Sequence, residues 1–287
     1  MASPLSHETA PELAVRRIVG QCRDDLIKYR AIVLKSSRPV GVHQTRVALR
    51  RMRAALSLFE DAASSDAARR DMHALAGEAK WLAGECAPAR DLHVYLKETA
   101  RDVPPAVSRV ARRLGKLHLE RARMALAGPR FIAFEASLAA FVDHRPQNAT
   151  GRLDLFGRVV LEARADKADK RGHKVASLDG KRLHKLRIAI KKLRYAAEFL
   201  RPAFASKDSK AYIEATARLQ GALGTLNDRE VAGQMLGDIA RAARPGEDLE
   251  KPLKKLAKQA AAGDNKRRHK LRRAWKRFEK AERFWRA

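Results

Sequence analysis

From Val42 to Phe59 the sequence reads VHQTRVALRRMRAALSLF, with His43, Arg46, Arg50 and Arg53 at three- and four-residue intervals and no carboxylate among them. On a helix turning about 100° per residue, these four share an arc of about 80°. Ala48, Leu49, Met52, Ala55, Leu56 and Phe59 fill the other side. A solvated helix face normally mixes charge signs at i, i+4, gaining a few tenths of a kcal/mol per pair, whereas like charges at that spacing repel. Such an arrangement suits a polyvalent anion laid along a stripe about 15 Å long. No carboxylate is spaced to orient His43 as a general base. The nine histidines also contain no HxxxH or HExxH pair to hold a metal. The chemistry expected here is binding rather than catalysis, with Arg51 at the edge of the arc.

The stripe recurs 141 residues later, where HKLRIAIKKLRYAAEFL from His184 faces HQTRVALRRMRAALSLF from His43. His184, Arg187, Lys191 and Arg194 share one arc, Ile190, Leu193, Ala196, Ala197 and Leu200 the other, and Lys192 takes the edge position of Arg51. Glu198 is the one acid in this copy. Two histidines heading equivalent stripes imply a shared job: capping a phosphate oxygen, or gaining a proton when a polyanion raises their pKa. Further on, WLAGECAPARDLHV from Trp81 faces RLQGALGTLNDREV from Arg218 at an offset of 137, and PRFIAF at Pro129 rhymes weakly with ERFWRA at Glu282 as a terminal helix. Duplication in matching order predicts two bundles related by a pseudo-two-fold axis.

The elements that must position these stripes read as helices almost throughout, because Ala, Leu, Arg, Lys and Glu dominate and apolar residues recur at helical spacing. An all-α fold follows. Breaks are expected at 36–40, 64–65, 87–89 (APA), 103–105, 128–129, 177–180, 206–209, 226–228 (LND), 244–246 and 263–265, leaving helices mostly of two to six turns. DHRPQNATG at 143–151 is the most loop-like stretch, so residues 1–145 and 152–287 are expected to form the two bundles. Asp91 and Asp228, each just after an expected break, read as N-caps of the next helix or as salt-bridge partners of a neighbouring Arg. Lys80 and Arg90, on or just after a helix ending near Trp81, are candidates to extend the stripe. Residues 251–287 hold 15 Lys and Arg against three acids, yet their place in the repeat makes this a closing bundle helix with Trp275 and Phe278 in the core.

Composition sets the partner class. Across 287 residues, 61 Lys and Arg oppose 33 Asp and Glu, a formal charge of +28 that points to a polyanion: nucleic acid, an anionic membrane surface, acidic protein or inorganic polyphosphate. Aromatics, at 6%, are thin for stacking single-stranded bases. Cys22 and Cys86 lie apart in helical segments, as packed thiols rather than a disulfide framework or zinc site. Neither a secretory signal nor a stretch of membrane-spanning length is seen, so a cytoplasmic protein without membrane insertion is expected.

VHQTRVALRRMRAALSLF and LHKLRIAIKKLRYAAEFL resemble the signature helices of the CHAD family, the conserved histidine α-helical domain. ARDLHV and LNDREV resemble that family's second signature in each half, and the resemblance covers essentially the whole chain. It implies two pseudo-symmetric four-helix bundles with a basic groove or pore between them, and binding of inorganic polyphosphate. Position by position, the implied ligands are His43, Arg46, Arg50 and Arg53 with His184, Arg187, Lys191 and Arg194. Arg51 and Lys192 also match the motif. The chain departs from the family in reading CAPARD where relatives commonly place Leu-Gly before the turn, and it lacks the ExExK signature of the triphosphate-tunnel domain that many relatives carry. The expected function is non-enzymatic polyphosphate binding without a cofactor, in association with polyphosphate granules. The alternative is sequence-independent binding of nucleic acid through its phosphates. No helix-turn-helix, zinc finger or aromatic RNA motif speaks for the alternative, and no Walker A, GxSxG or Mg²⁺-binding acid cluster speaks for an enzyme.

Overall fold

Four helices start on a proline: Pro11, Pro39, Pro105 and Pro129. At the first helical position the missing N–H costs nothing and the fixed φ is already helical. The computed structural model describes residues 5–99, 103–146, 149–261 and 264–286. Among these residues the fold is all-α, with ten α-helices: α1 (Pro11–Lys35), α2 (Pro39–Leu58), α3 (Asp66–Thr99), α4 (Pro105–Ala127), α5 (Pro129–Asp143), α6 (Leu153–Gly172), α7 (Gly180–Leu200), α8 (Asp208–Arg241), α9 (Glu250–Ala261) and α10 (Asp264–Glu279). The Asp179 carboxylate caps α7 by accepting from the Arg182 backbone N–H at 2.7 Å. Part of the expected break at 263–265 lies outside the described residues.

Two expected breaks do not occur. α3 runs through Pro88, and α8 runs through Leu226–Asp228; each helix is 34 residues long, far beyond six turns. An interior proline removes one backbone bond and costs roughly 3 kcal/mol. Burial on both sides outweighs it in α3: Leu82 and Cys86 lie in one core before Pro88, and Leu92 and Tyr95 in another after it. Asp91 is therefore a mid-helix residue and not a cap, and Lys80 and Arg90 sit on the same continuous helix rather than at its end. Asp228 likewise falls inside α8, and its side chain lies outside the described part. ERFWRA is not a terminal helix either: α10 ends at Glu279 and the chain turns. Glu162 explains the turn, since it accepts from Trp285 Nε1 at 2.7 Å and pairs with Arg283 and Arg286, folding the segment back onto α6.

Helices pack in sequence, α1 on α2, α2 on α3 and α3 on α4, then α6 on α7, α7 on α8 and α8 on both α9 and α10. Gly41 permits the first contact, because a Cβ there would lie 3.0 Å from Val33 Cγ2. Gly172, at the end of α6, lets α10 close against that helix: the Trp275 indole occupies the place of its absent Cβ. Trp275 and Phe278 are core residues, as expected of a closing helix. The main core does not stop at the 144–152 connection. It runs from Ala14 to Trp285, and Phe59 stacks on Phe156 across the halves with centroids 5.1 Å apart. A second core joins the far ends of α3 and α4 to α8 and α9, through Leu92, Tyr95, Val110, Met235, Ile239 and Leu249. No single described helix is long and apolar enough to cross a membrane.

Candidate polyanion-binding site

α2 is anchored by Ala48, Leu49, Met52, Ala55 and Leu56, and α7 by Ile190, Leu193, Ala196, Ala197 and Leu200, all at most 1% exposed. These apolar sides fix where the opposite sides point. His43, Arg46, Arg50 and Arg53 on α2 and Arg187, Lys191 and Arg194 on α7 are half-buried, while His184 is exposed.

The two stripes meet. α2 contacts α7 directly, and the Lys191 ammonium is pushed down to about 8 by burial and then by the positive charges of Arg50, Arg53, Arg187 and Arg46. Three of those four guanidinium groups come from the other half of the chain. Arg50 Nε donates to the Tyr195 hydroxyl, a second link between the helices.

Arg90, projecting from α3, belongs to the same cluster. Its Nε–H donates to His43 Nδ1 at 2.8 Å. An acceptor nitrogen is unprotonated, so His43 is a neutral imidazole carrying its proton on Nε2. Burial and the charges of Arg90, Arg50 and Arg46 hold its pKa below the ordinary value. Between the two roles open to the histidines, this geometry gives His43 that of a neutral donor. His184 makes no hydrogen bond or ion pair among the described residues.

Two carboxylates enter the cluster. Asp91 Oδ1 lies 3.8 Å from Arg46. Glu198 accepts from Arg194 Nε at 2.8 Å and stands 3.3 Å from Arg51, bridging the halves. Arg46 also donates to the Ala83 carbonyl on α3 at 2.8 Å. Neither Asp91 nor Glu198 is among the charges that act most strongly on Lys191.

The remaining candidates lie elsewhere. Arg51 packs over the Phe199 ring and beside Cys22, acting in the α2–α7 joint. Lys192 faces α6, where Arg164, Lys167 and Arg171 are its cationic neighbours. Lys80 is exposed, and it is not among the charges that act on His43 or Lys191. Cys22 and Cys86 are buried free thiols, each pushed up to about 12 by burial and hence protonated. Sequence reasoning missed Tyr195 as a partner of Arg50, although at 100° per residue it falls about 20° past His184, at the edge of the basic arc of α7. It also missed the Arg90–His43 bond, which no spacing rule connects.

A protein-family model described as the CHAD domain matches residues 17–237. The fold is similar to the crystal structure of the CHAD domain from the plant Ricinus communis, with 26% identity over 98% of this chain and 96% of that one and a TM-score of 0.83. It is also similar to PptA from Streptomyces chartreusis, with 19% identity over 96% of this chain and 99% of that one and a TM-score of 0.59, a likeness of fold alone. No curated protein matches the chain.

Proposed function

This chain belongs to the CHAD domain family, and on that premise we propose that it is a non-enzymatic binding protein for inorganic polyphosphate, gripped between the α2 and α7 stripes. Some members of the family bind polyphosphate. The observation that carries the reading is the placement of Lys191 among four guanidinium groups, without a carboxylate among the charges acting on it. A half-buried group of like charges is costly in the free protein, and phosphate oxygens spaced along a flexible chain would neutralise it. Arginine supplies bidentate forks and Lys191 a point charge, each charge-assisted bond worth about 1.5–3 kcal/mol. The neutral His43 donates from Nε2. Polyphosphate has no bases to read, so a cluster of cations without stacking aromatics is sufficient. In this reading the protein works in the cytoplasm on polyphosphate granules.

The test is a titration of labelled long-chain polyphosphate at fixed salt, competed by duplex DNA, RNA and short phosphates. Polyphosphate is expected to bind most tightly, and affinity should fall steeply as salt rises, since binding releases counterions. Displacement by DNA at matched phosphate concentration would replace this reading with sequence-independent nucleic-acid binding.

A further inference from the structure

Beside the cluster, between the start of α2 and the facing sides of α3 and α4, lies a cavity of about 300 Å³. Its floor is apolar, formed by Val42, Leu92, Leu96 and Leu119, with Val42 and Leu92 at most 5% exposed. Its rim is cationic: Arg38 from the lead-in to α2, and Arg112 and Lys116 one turn apart on α4. Among the described residues, none of these three side chains makes a hydrogen bond or ion pair and no carboxylate lines the cavity. Arg90 lines it too, while its Nε holds His43.

We propose that this cavity is a second, separate site for a small amphiphilic phosphate monoester, with its compact apolar body on Leu92 and Leu119 and its phosphate held by Arg112, Lys116 and Arg38. The argument rests on two features found together. An inorganic phosphate chain has no use for an apolar floor, so the cavity does not simply extend the stripe. A neutral apolar ligand has no use for a rim of like charges, which repel one another at i, i+4 until an anion arrives. A pocket at the small end of the usual ligand range, roughly 300–1,000 Å³, lined by aliphatic side chains with a few polar groups at one edge, matches a ligand that has both parts. Because Arg90 touches both sites, a phosphate seated here lies next to the polyanion cluster.

Calorimetric titration of the full chain with octyl phosphate and with adenosine 5′-monophosphate distinguishes an alkyl from a nucleotide source. Inorganic phosphate and the neutral octyl glucoside serve as controls. At least one monoester is expected to saturate a single site, with both controls roughly tenfold weaker or more, as loss of a charge-assisted bond or of the apolar contact implies. Gly115 lines the cavity, where a Cβ would meet Leu92 Cδ2 at an ordinary 3.5 Å. Gly115→Leu, a better helix former, should fill the space and abolish monoester binding while leaving polyphosphate binding intact. Arg112→Ala with Lys116→Ala should weaken the monoester by roughly tenfold or more, a readout independent of how Gly115→Leu folds. Equal binding of monoester and inorganic phosphate, equal binding of octyl glucoside, or indifference to Arg112→Ala with Lys116→Ala would overturn the proposal.

Discussion

The α2 and α7 stripes carry nearly the same residues and live in different surroundings. On α2, three of the four groups have a bonding partner within the protein: the neutral His43 takes the Arg90 N–H, Arg46 has the Ala83 carbonyl and Asp91, and Arg50 has Tyr195. On α7, among the described residues, only Arg194 of the stripe is paired, to Glu198; Arg187 and His184 make no bond, and Lys191 is surrounded by like charge. One stripe is thus held by protein contacts, and the other is left in mutual repulsion. The same residue types can serve stability on one helix and oppose it on the other.

The largest contrast should come from paired substitutions. Arg187→Ala with Lys191→Ala should weaken polyphosphate binding by about a hundredfold or more, two charge-assisted bonds being lost, while thermal unfolding stays unchanged or shifts upward. Arg46→Ala with Arg50→Ala should weaken binding comparably but also destabilise the fold by about 1–3 kcal/mol, since the Ala83 carbonyl and the Tyr195 hydroxyl lose their donor. Equal changes in melting temperature for the two pairs would erase the distinction between the stripes.

A pH series isolates Lys191. With the folded pKa pushed down to about 8 from an ordinary 10.5, the unfolded chain binds more protons between those values, so stability rises with pH in that window. Affinity should move the other way, falling roughly three- to tenfold between pH 7 and 9.5 as the ammonium loses its proton. Binding near pH 8 should take up protons, visible in calorimetry across buffers of different ionisation enthalpy, and Lys191→Met should remove the uptake.

Smaller effects sharpen the comparison. Glu198→Gln removes the carboxylate that competes for Arg194 and Arg51; affinity should rise about two- to fivefold while stability drops by about 1 kcal/mol, measured by titration and chemical unfolding. Tyr195→Phe should change affinity by less than about twofold and stability by about 1 kcal/mol, because it removes an acceptor from Arg50 and no charge.

The stripes themselves were legible in the sequence because helical periodicity fixes faces: Leu49, Met52 and Leu56 had to be core, so Arg46, Arg50 and Arg53 had to share the other side. The C-terminal helix was legible for the same reason through Trp275 and Phe278. Local breaker signals misled at Pro88 and at Leu226–Asp228, where burial on either side carries the helix through. Contacts across long separations were illegible. Nothing in the spacing of Arg90, 47 residues beyond His43, announces a bond between them, and the Glu198 bridge to Arg51 depends on how α2 meets α7.

The core shared across the 144–152 connection has a consequence for how the molecule comes apart. Phe59 on Phe156, and the second core between α3–α4 and α8–α9, fasten the halves at two separate places. A protease cutting between Asp143 and Arg152 would sever the covalent link while leaving both fastenings in place. The nicked protein should travel as one particle in gel filtration, and two fragments expressed apart should find each other, as the pieces of a complementation reporter do.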